Sequence, residues 1–215
     1  MKPEIILYNL IPNELLEQLK EHFIVRYHKL DTKMNASFYE DLIKAKGIIG
    51  SKMKINRTLL KKAPNLKVVV NISVGYDNLD LTELTNRGIM ATNTPDVLTD
   101  TVADAIFGLL LSTSRRIPEL NDYVKSGKWN ENIGEELFGI DVHHKTLGII
   151  GMGRIGTAIA ERARHGFKMN ILYHNRSNNQ KAEKELNATH VNFEQLLRTQ
   201  ILFACWFRYV PKRFI

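Results

Sequence analysis

Leu147-Gly148-Ile149-Ile150-Gly151-Met152-Gly153-Arg154-Ile155-Gly156 is the stretch on which the reading of this chain turns. Lys145 to Ile150 predicts a short buried strand and Arg154 to Arg164 a helix, joined by a G-x-G-x-x-G turn. Gly151 suits a tight turn, Gly153 lets the main chain approach a pyrophosphate, and Gly156 lets helix and strand pack closely. The first helical turn, with Arg154 and Ile155, offers N–H groups that precede the helix's own bonds, and the positive end of the dipole, to an anion. A second strand, Asn170 to His174, follows. In that context the glycine spacing points to a bound dinucleotide.

The end of that second strand selects between cofactors. An acidic side chain there bonds the ribose 2′-OH of NAD, whereas a basic one accommodates the 2′-phosphate of NADP. Ile171-Leu172-Tyr173-His174 runs into Asn175-Arg176-Ser177, with no Asp or Glu. Arg176 can grip a phosphate with two guanidinium N–H groups, and Ser177 can add a hydroxyl. Arg154 is a further candidate for the same phosphate. NADP is therefore expected over NAD. The competing reading makes Arg176 a solvated turn residue, and NAD sites without the acid exist.

Working outward, the N-terminal part alternates strands and helices. Strands are predicted at Glu4 to Tyr8, Ile24 to Tyr27, Gly47 to Gly50, Leu66 to Ile72 and Ile89 to Thr92. Helices are predicted at Pro12 to Phe23, Ala36 to Ile43 and Leu81 to Asn86. Leu66 to Ile72 is apolar nearly throughout, as a strand covered on both faces must be. Such alternation implies a parallel sheet with right-handed crossovers. After the turn Asn93-Thr94-Pro95-Asp96, Leu98 to about Lys125 reads as one long helix or a kinked pair, opened by a Thr99 or Asp100 cap. The domain boundary is placed there: one domain at about 1–95 and a dinucleotide-binding one at 96–215.

Composition sets broad limits. The chain has 215 residues, 44% hydrophobic and 25% charged, the balance of an ordinary globular protein. A single cysteine, Cys205, excludes an internal disulfide framework. The first residues lack the apolar core of a signal peptide, and no run reaches the roughly 20 apolar residues of a membrane span. A cytoplasmic location and no membrane partner are expected. The net charge of +7 is spread over scattered Lys and Arg without an aromatic-interleaved stripe, so no nucleic-acid partner is expected.

With these residues in place, the chain resembles the D-isomer-specific 2-hydroxyacid dehydrogenases, and within them the glyoxylate/hydroxypyruvate/2-ketogluconate reductase branch. The resemblance covers about residues 1–200. Asn71-Ile72-Ser73-Val74-Gly75-Tyr76-Asp77-Asn78-Leu79-Asp80 is similar to the family's substrate-loop motif. Asn93 to Asp104 is similar to its domain-crossing motif, and Gly127-Lys128-Trp129 and the glycine turn follow in the family's order. The resemblance implies an α/β protein: an N-terminal flavodoxin-like substrate domain followed by an incomplete Rossmann domain with a doubly wound parallel sheet. It implies an oxidoreductase that reduces a small 2-keto acid with NAD(P)H. The keto-acid carboxylate would be held by the backbone N–H groups of Val74 and Gly75, with Ser51 of Gly50-Ser51-Lys52 bordering the same site. An ordinary turn after a strand is the competing reading of Val74-Gly75. Thr99 matches a position near the nicotinamide. A homodimer is implied for intact members.

The chain also departs from the family. Hydride addition to a carbonyl leaves an oxyanion that needs a proton from an acid with a pKa near the working pH. The family's Arg, Glu and His serve that step, and their motifs have no counterpart before Ile215, so no catalytic residue is assigned and no turnover is expected of these residues alone. None of the seven histidines fits a family catalytic motif, and His144 stands where family members often carry glycine. Gln200 to Ile215 is aromatic and basic and unlike the family, which suggests a frameshift or truncation near residue 200, or else a true strand at Ile201 to Phe207. Without the second half of the doubly wound fold, the sheet is expected to end in an exposed apolar edge at its switch point. Two further readings stay open beside the reductase: an NADP-binding half-module, and a truncated fragment without function.

Overall fold

Short apolar strands alternating with polar-capped helices build two parallel sheets. The computed structural model describes residues 1–29, 34–199 and 202–205. It divides into two compact units, the first running from Met1 to Val97 and the second beginning at Leu98.

The first unit runs β1 (Glu4–Leu7), α1 (Asn13–His22), β2 (Ile24–Tyr27), α2 (Ala36–Lys44), β3 (Gly47–Gly50), α3 (Arg57–Lys61), β4 (Val68–Asn71), α4 (Leu81–Asn86) and β5 (Met90–Thr92). Its sheet has the order β2-β1-β3-β4-β5 with all pairs parallel, the flavodoxin-like order. Local chemistry sets the helix starts. Asn35, Asn56 and Asp80 each accept a hydrogen bond from the backbone N–H three residues on, at 3.0, 3.1 and 3.0 Å. Ile6, Ile48 and Val69 from three neighbouring strands pack with Phe38, Leu42, Leu60 and Leu84. Helix α1 is only half-sunk: Leu16 and Leu19 are partly covered and Leu15 is exposed. Helix α3, too short to show a period, is not foreseen by the sequence.

The second unit opens with α5 (Thr99–Ser114) and α6 (Ile117–Lys125), followed by a 3₁₀ turn at Glu135–Leu137. The expected long helix is thus a kinked pair, broken where Arg116 adopts the left-handed φ of 55°. Then come β6 (Thr146–Ile150), α7 (Arg154–Glu161), a π turn (Arg162–Gly166), β7 (Asn170–His174), α8 (Gln180–Leu186), β8 (Thr189–His190), α9 (Phe193–Thr199) and β9 (Leu202–Cys205). The sheet order is β8-β7-β6-β9, again all parallel. Renumbered within this unit it reads 3-2-1-4, the beginning of the Rossmann order. Leu147, Ile149, Ile171 and Tyr173 from β6 and β7 pack with Ala103, Phe107, Ala158 and Ile159.

Two expectations need correction here. The sheet does not end at its switch point on β6, because β9 pairs with it from Leu147↔Leu202 to Ile150↔Cys205. The strand expected at Ile201 to Phe207 is thus present over Leu202–Cys205, and the rest of the Gln200 to Ile215 segment lies outside the described residues. Nor does Thr99 or Asp100 cap α5: Leu98 holds the N-cap position and no side chain caps this end. Among the described residues no helix is long and apolar enough to cross a membrane.

Candidate functional site

In a parallel sheet every strand ends on the same edge, and ligands gather outside those carboxyl ends, at the point where the strand order reverses. In the first unit that point lies between β1 and β3. Tyr8 and Asn9 follow β1, Ser51 follows β3, and the Asn71–Gly75 segment leaves β4. Asn9 Oδ1 accepts from the Ser51 N–H at 2.6 Å and lies 3.5 Å from its hydroxyl, which fixes the start of the Ser51-Lys52 turn. Burial pushes the Tyr8 hydroxyl up to about 12, so it stays protonated through the neutral range.

The loop after β4 is held from within by asparagines. The Ser73 carbonyl accepts from the Thr94 N–H at 3.1 Å. The Val74 carbonyl accepts from Asn93 Nδ2 at 2.9 Å, and the Gly75 carbonyl from Asn71 Nδ2 at 2.7 Å. Asn71 is 1% exposed, and its own Oδ1 accepts from Asn78 at 3.2 Å. No peptide bond among the described residues is cis. In a planar trans peptide the N–H points opposite to the preceding carbonyl. Holding the Ser73 and Val74 carbonyls therefore turns the Val74 and Gly75 N–H groups away from their protein partners. Neither donates to a backbone carbonyl of a described residue. A Cβ at Gly75 would meet only Asp77 Oδ2, at 3.4 Å, so the space over this peptide is open. Two adjacent amides turned the same way are the kind of group that can receive an anion.

In the second unit the glycine turn follows β6 and the Asn175-Arg176-Ser177 loop follows β7. The two strands are paired through Ile150↔His174, and the Gly151 N–H donates to the His174 carbonyl at 3.0 Å. Turn and loop thus start side by side. Gly151 has a φ of 96°, which a side chain would strain. Nothing lies within 4 Å of a Cβ built at Gly153, the room that close main-chain approach to a phosphate needs. A Cβ at Gly156 would run into the Gly151 carbonyl, as expected of the glycine that packs helix on strand. Gly153 is the N-cap of α7, no side chain caps it, and the first backbone bond of the helix is Thr157 N–H to Gly153 at 2.8 Å. The N–H groups of Arg154, Ile155 and Gly156 precede that bond. The residues present therefore fit a dinucleotide diphosphate.

Arg176 and Ser177 are exposed. The loop that carries them is fastened at its start by His190, whose Nε2 donates to the Asn175 carbonyl at 3.0 Å. His174 Nδ1 donates likewise to the Val191 carbonyl at 3.0 Å. His28 pairs with Asp41 at 2.9 Å in the first unit. His144 adopts a φ of 60°, the conformation a glycine would take without strain. Sequence reasoning misses Asn9 and Asn179, and it sees Asn71, Asn78 and Asn93 only as motif members. Asn9, Asn78, Asn93 and Asn179 act on groups far along the chain while Asn71 acts within its own loop, and only the asparagine preceding a helix, as at Asn179, carries a local signal. Among the described residues no group of three His, Cys, Asp or Glu could hold a metal ion.

Comparisons with known proteins bear on the same features. The family model of the D-isomer specific 2-hydroxyacid dehydrogenase catalytic domain matches residues 5–200. A glyoxylate/hydroxypyruvate reductase B of Yersinia pestis is 48% identical over 198 residues, which are 92% of this chain and 61% of that protein. The chain thus spans about 61% of the length of the curated relatives it matches. A protein of Thermus thermophilus has a crystal structure similar at a TM-score of 0.83, with 32% identity over 97% of this chain and 66% of that one. The NADPH-dependent glyoxylate/hydroxypyruvate reductase of Sinorhizobium meliloti, solved with citrate, gives a TM-score of 0.72 and 34% identity over 88% of this chain and 58% of that one.

Proposed function

Since this chain belongs to the D-isomer specific 2-hydroxyacid dehydrogenase family, we propose that it serves the NADPH-dependent reduction of a small 2-keto acid to the 2-hydroxy acid. Glyoxylate, hydroxypyruvate or a 2-ketogluconate-like acid is the substrate class, in keeping with the names of its relatives. The observation that carries the reading is the 73–75 loop, where the outward Val74 and Gly75 amides suit a carboxylate. Ser51, anchored by Asn9, borders that site. Gly151, Gly153, Arg154, Ile155 and Gly156 hold the diphosphate, Asn175, Arg176 and Ser177 the ribose end, and Thr99 serves the nicotinamide end. The bound cofactor supplies the hydride. The chain's own part is to orient the keto acid by its carboxylate and to fix the two ends of the dinucleotide.

No described histidine is assigned the proton for the resulting oxyanion: His174 and His190 each use one ring nitrogen to hold a loop carbonyl, and His28 pairs with Asp41. The domains are read as a substrate domain at 1–95 and a cofactor domain from 96. The whole protein is read as a cytoplasmic homodimer without nucleic-acid or membrane partners. Leu109, Ile117 and Val124 on α5 and α6, 68%, 51% and 50% exposed, give a second copy apolar surface to cover.

NADPH and NADH titrations followed by fluorescence test this reading, with glyoxylate and hydroxypyruvate added afterwards to look for oxidation. NADPH binding in preference to NADH, without oxidation by the 215 residues alone, is the expected result. Failure to bind either cofactor would sink it. Arg176→Ala should weaken NADPH about tenfold or more, the usual worth of a charge-assisted phosphate contact, and leave NADH within about twofold. An equal loss for both cofactors would show that Arg176 does not read the 2′-phosphate.

A further inference from the structure

Asn179 lies 27 residues from the glycine turn, yet its side-chain amide reaches it, donating from Nδ2 to the Met152 carbonyl at 3.0 Å. The same nitrogen lies 3.5 Å from the Thr157 hydroxyl, one turn into α7. Its Oδ1 accepts from the Ala182 N–H at 3.1 Å and so caps α8. Its own backbone N–H donates to the Tyr173 hydroxyl at 2.7 Å, and that hydroxyl donates to Glu183 Oε1 at 2.8 Å. Tyr173 is fully buried on β7. The residue is therefore fixed at three points, on β7, on α8 and on the glycine turn, and none of its polar groups is spare.

The bond to Met152 has a directional consequence. The Met152 carbonyl and the Gly153 N–H belong to one planar trans peptide and point in opposite directions. A carbonyl held against Asn179 sends the Gly153 N–H the other way, at a residue whose Cβ position has nothing within 4 Å. Without that hold, the peptide can turn about the Met152 ψ and Gly153 φ, and Gly153 places few steric limits on the second of these.

We propose that Asn179 is a positioning residue for the cofactor diphosphate, acting by locking the Met152–Gly153 peptide so that the Gly153 N–H faces the phosphate. The inference rests on the reading of the glycine turn as the diphosphate site. It adds that the affinity of this turn is set in part by a side chain on the loop that follows the ribose-reading segment.

The test compares two fragments of the cofactor on the 215-residue chain by calorimetry: ADP, which carries the diphosphate, and 2′-AMP, which carries only the 2′-phosphate. Asn179→Ser keeps a neutral N-cap for α8 but removes the amide that reaches Met152. ADP affinity should fall about tenfold, the worth of one well-placed hydrogen bond, while 2′-AMP affinity and the melting temperature stay near their wild-type values. Unchanged ADP affinity would overturn the proposal. So would a parallel loss of ADP, 2′-AMP and thermal stability, which would make Asn179 a support for the whole loop. If the unaltered chain binds neither fragment, the reading of the turn itself fails, and the role of Asn179 falls with it.

Discussion

Gly153→Ala should leave the folded protein as stable as before and abolish NADPH binding, whereas Gly156→Ala should cost about 3 kcal/mol of stability as well. The two glycines are three residues apart and face different things. At Gly153 the backbone has a φ of −87°, which alanine accepts, and an added methyl meets no atom within 4 Å. The methyl would occupy only the space that a phosphate needs. At Gly156 the methyl would overlap the Gly151 carbonyl oxygen, with the carbonyl carbon at 3.1 Å and Ile149 Cγ2 at 3.5 Å. The oxygen belongs to main chain at a positive-φ turn and cannot swing aside as a side chain would. Relief requires α7 to lift off β6, which loosens Ala158, Ile159 and Ala160 from the core. Thermal unfolding with NADPH titration separates the two. A stable Gly156→Ala protein would show that the helix and strand are not in the close contact described, and NADPH binding by Gly153→Ala would remove the phosphate from that space.

Asn71→Leu is expected to destabilise the first unit by about 2–3 kcal/mol despite nearly equal volume. Asn71 is 1% exposed and bridges the Gly75 carbonyl to the Asn78 amide. Leucine would leave the carbonyl unpaired beside an apolar wall. Asn78 would keep its bond to the Met53 carbonyl at 2.9 Å, so the loss falls mainly on the loop. The Ser73 and Val74 carbonyls keep their bonds to Thr94 and Asn93, so the Val74 and Gly75 amides lose only the support of the neighbouring 75–76 peptide, and affinity for a 2-keto acid should fall less than stability. Chemical denaturation gives the first quantity. Protection of the Val74 and Gly75 amides by oxalate, a non-reactive dicarboxylate, gives the second. An Asn71→Leu protein of wild-type stability would mean that the buried amide is satisfied in some other way.

How much of this is legible in the sequence depends on how far each residue reaches. The glycine turn can be read because its three glycines, its strand and its helix are neighbours along the chain, and each glycine answers a local demand. The parallel sheets follow from the alternation of apolar runs with helices. The asparagine network cannot be read. Asn93 acts on Val74 and Asn179 on Met152, 19 and 27 residues away, and an asparagine bears no mark of the carbonyl it will meet. The break at Arg116 is equally silent, since nothing distinguishes an arginine destined for a left-handed conformation. Thr99 misleads because a threonine before an apolar period is a good cap by type, yet the chain enters the helix one residue earlier, at Leu98. Helix α3 is lost to its length of five residues.

The pairing of β9 with β6 bears on the order in which the second unit assembles. Leu147 meets Ile171 on one side and Leu202 on the other, so the second closure spans a loop more than twice as long as the first. Longer loops cost more entropy to close, and distant pairings form more slowly. The β6–α7–β7 segment, which holds the glycine turn and the residues that brace it, is thus expected to consolidate before its far edge is added. Pulse-labelling hydrogen exchange would read this as early protection of Leu147 to Ile150 against β7 and late protection of β9. Assembly would then proceed outward from the phosphate-binding turn, with the nucleotide half-site formed while the sheet is still growing.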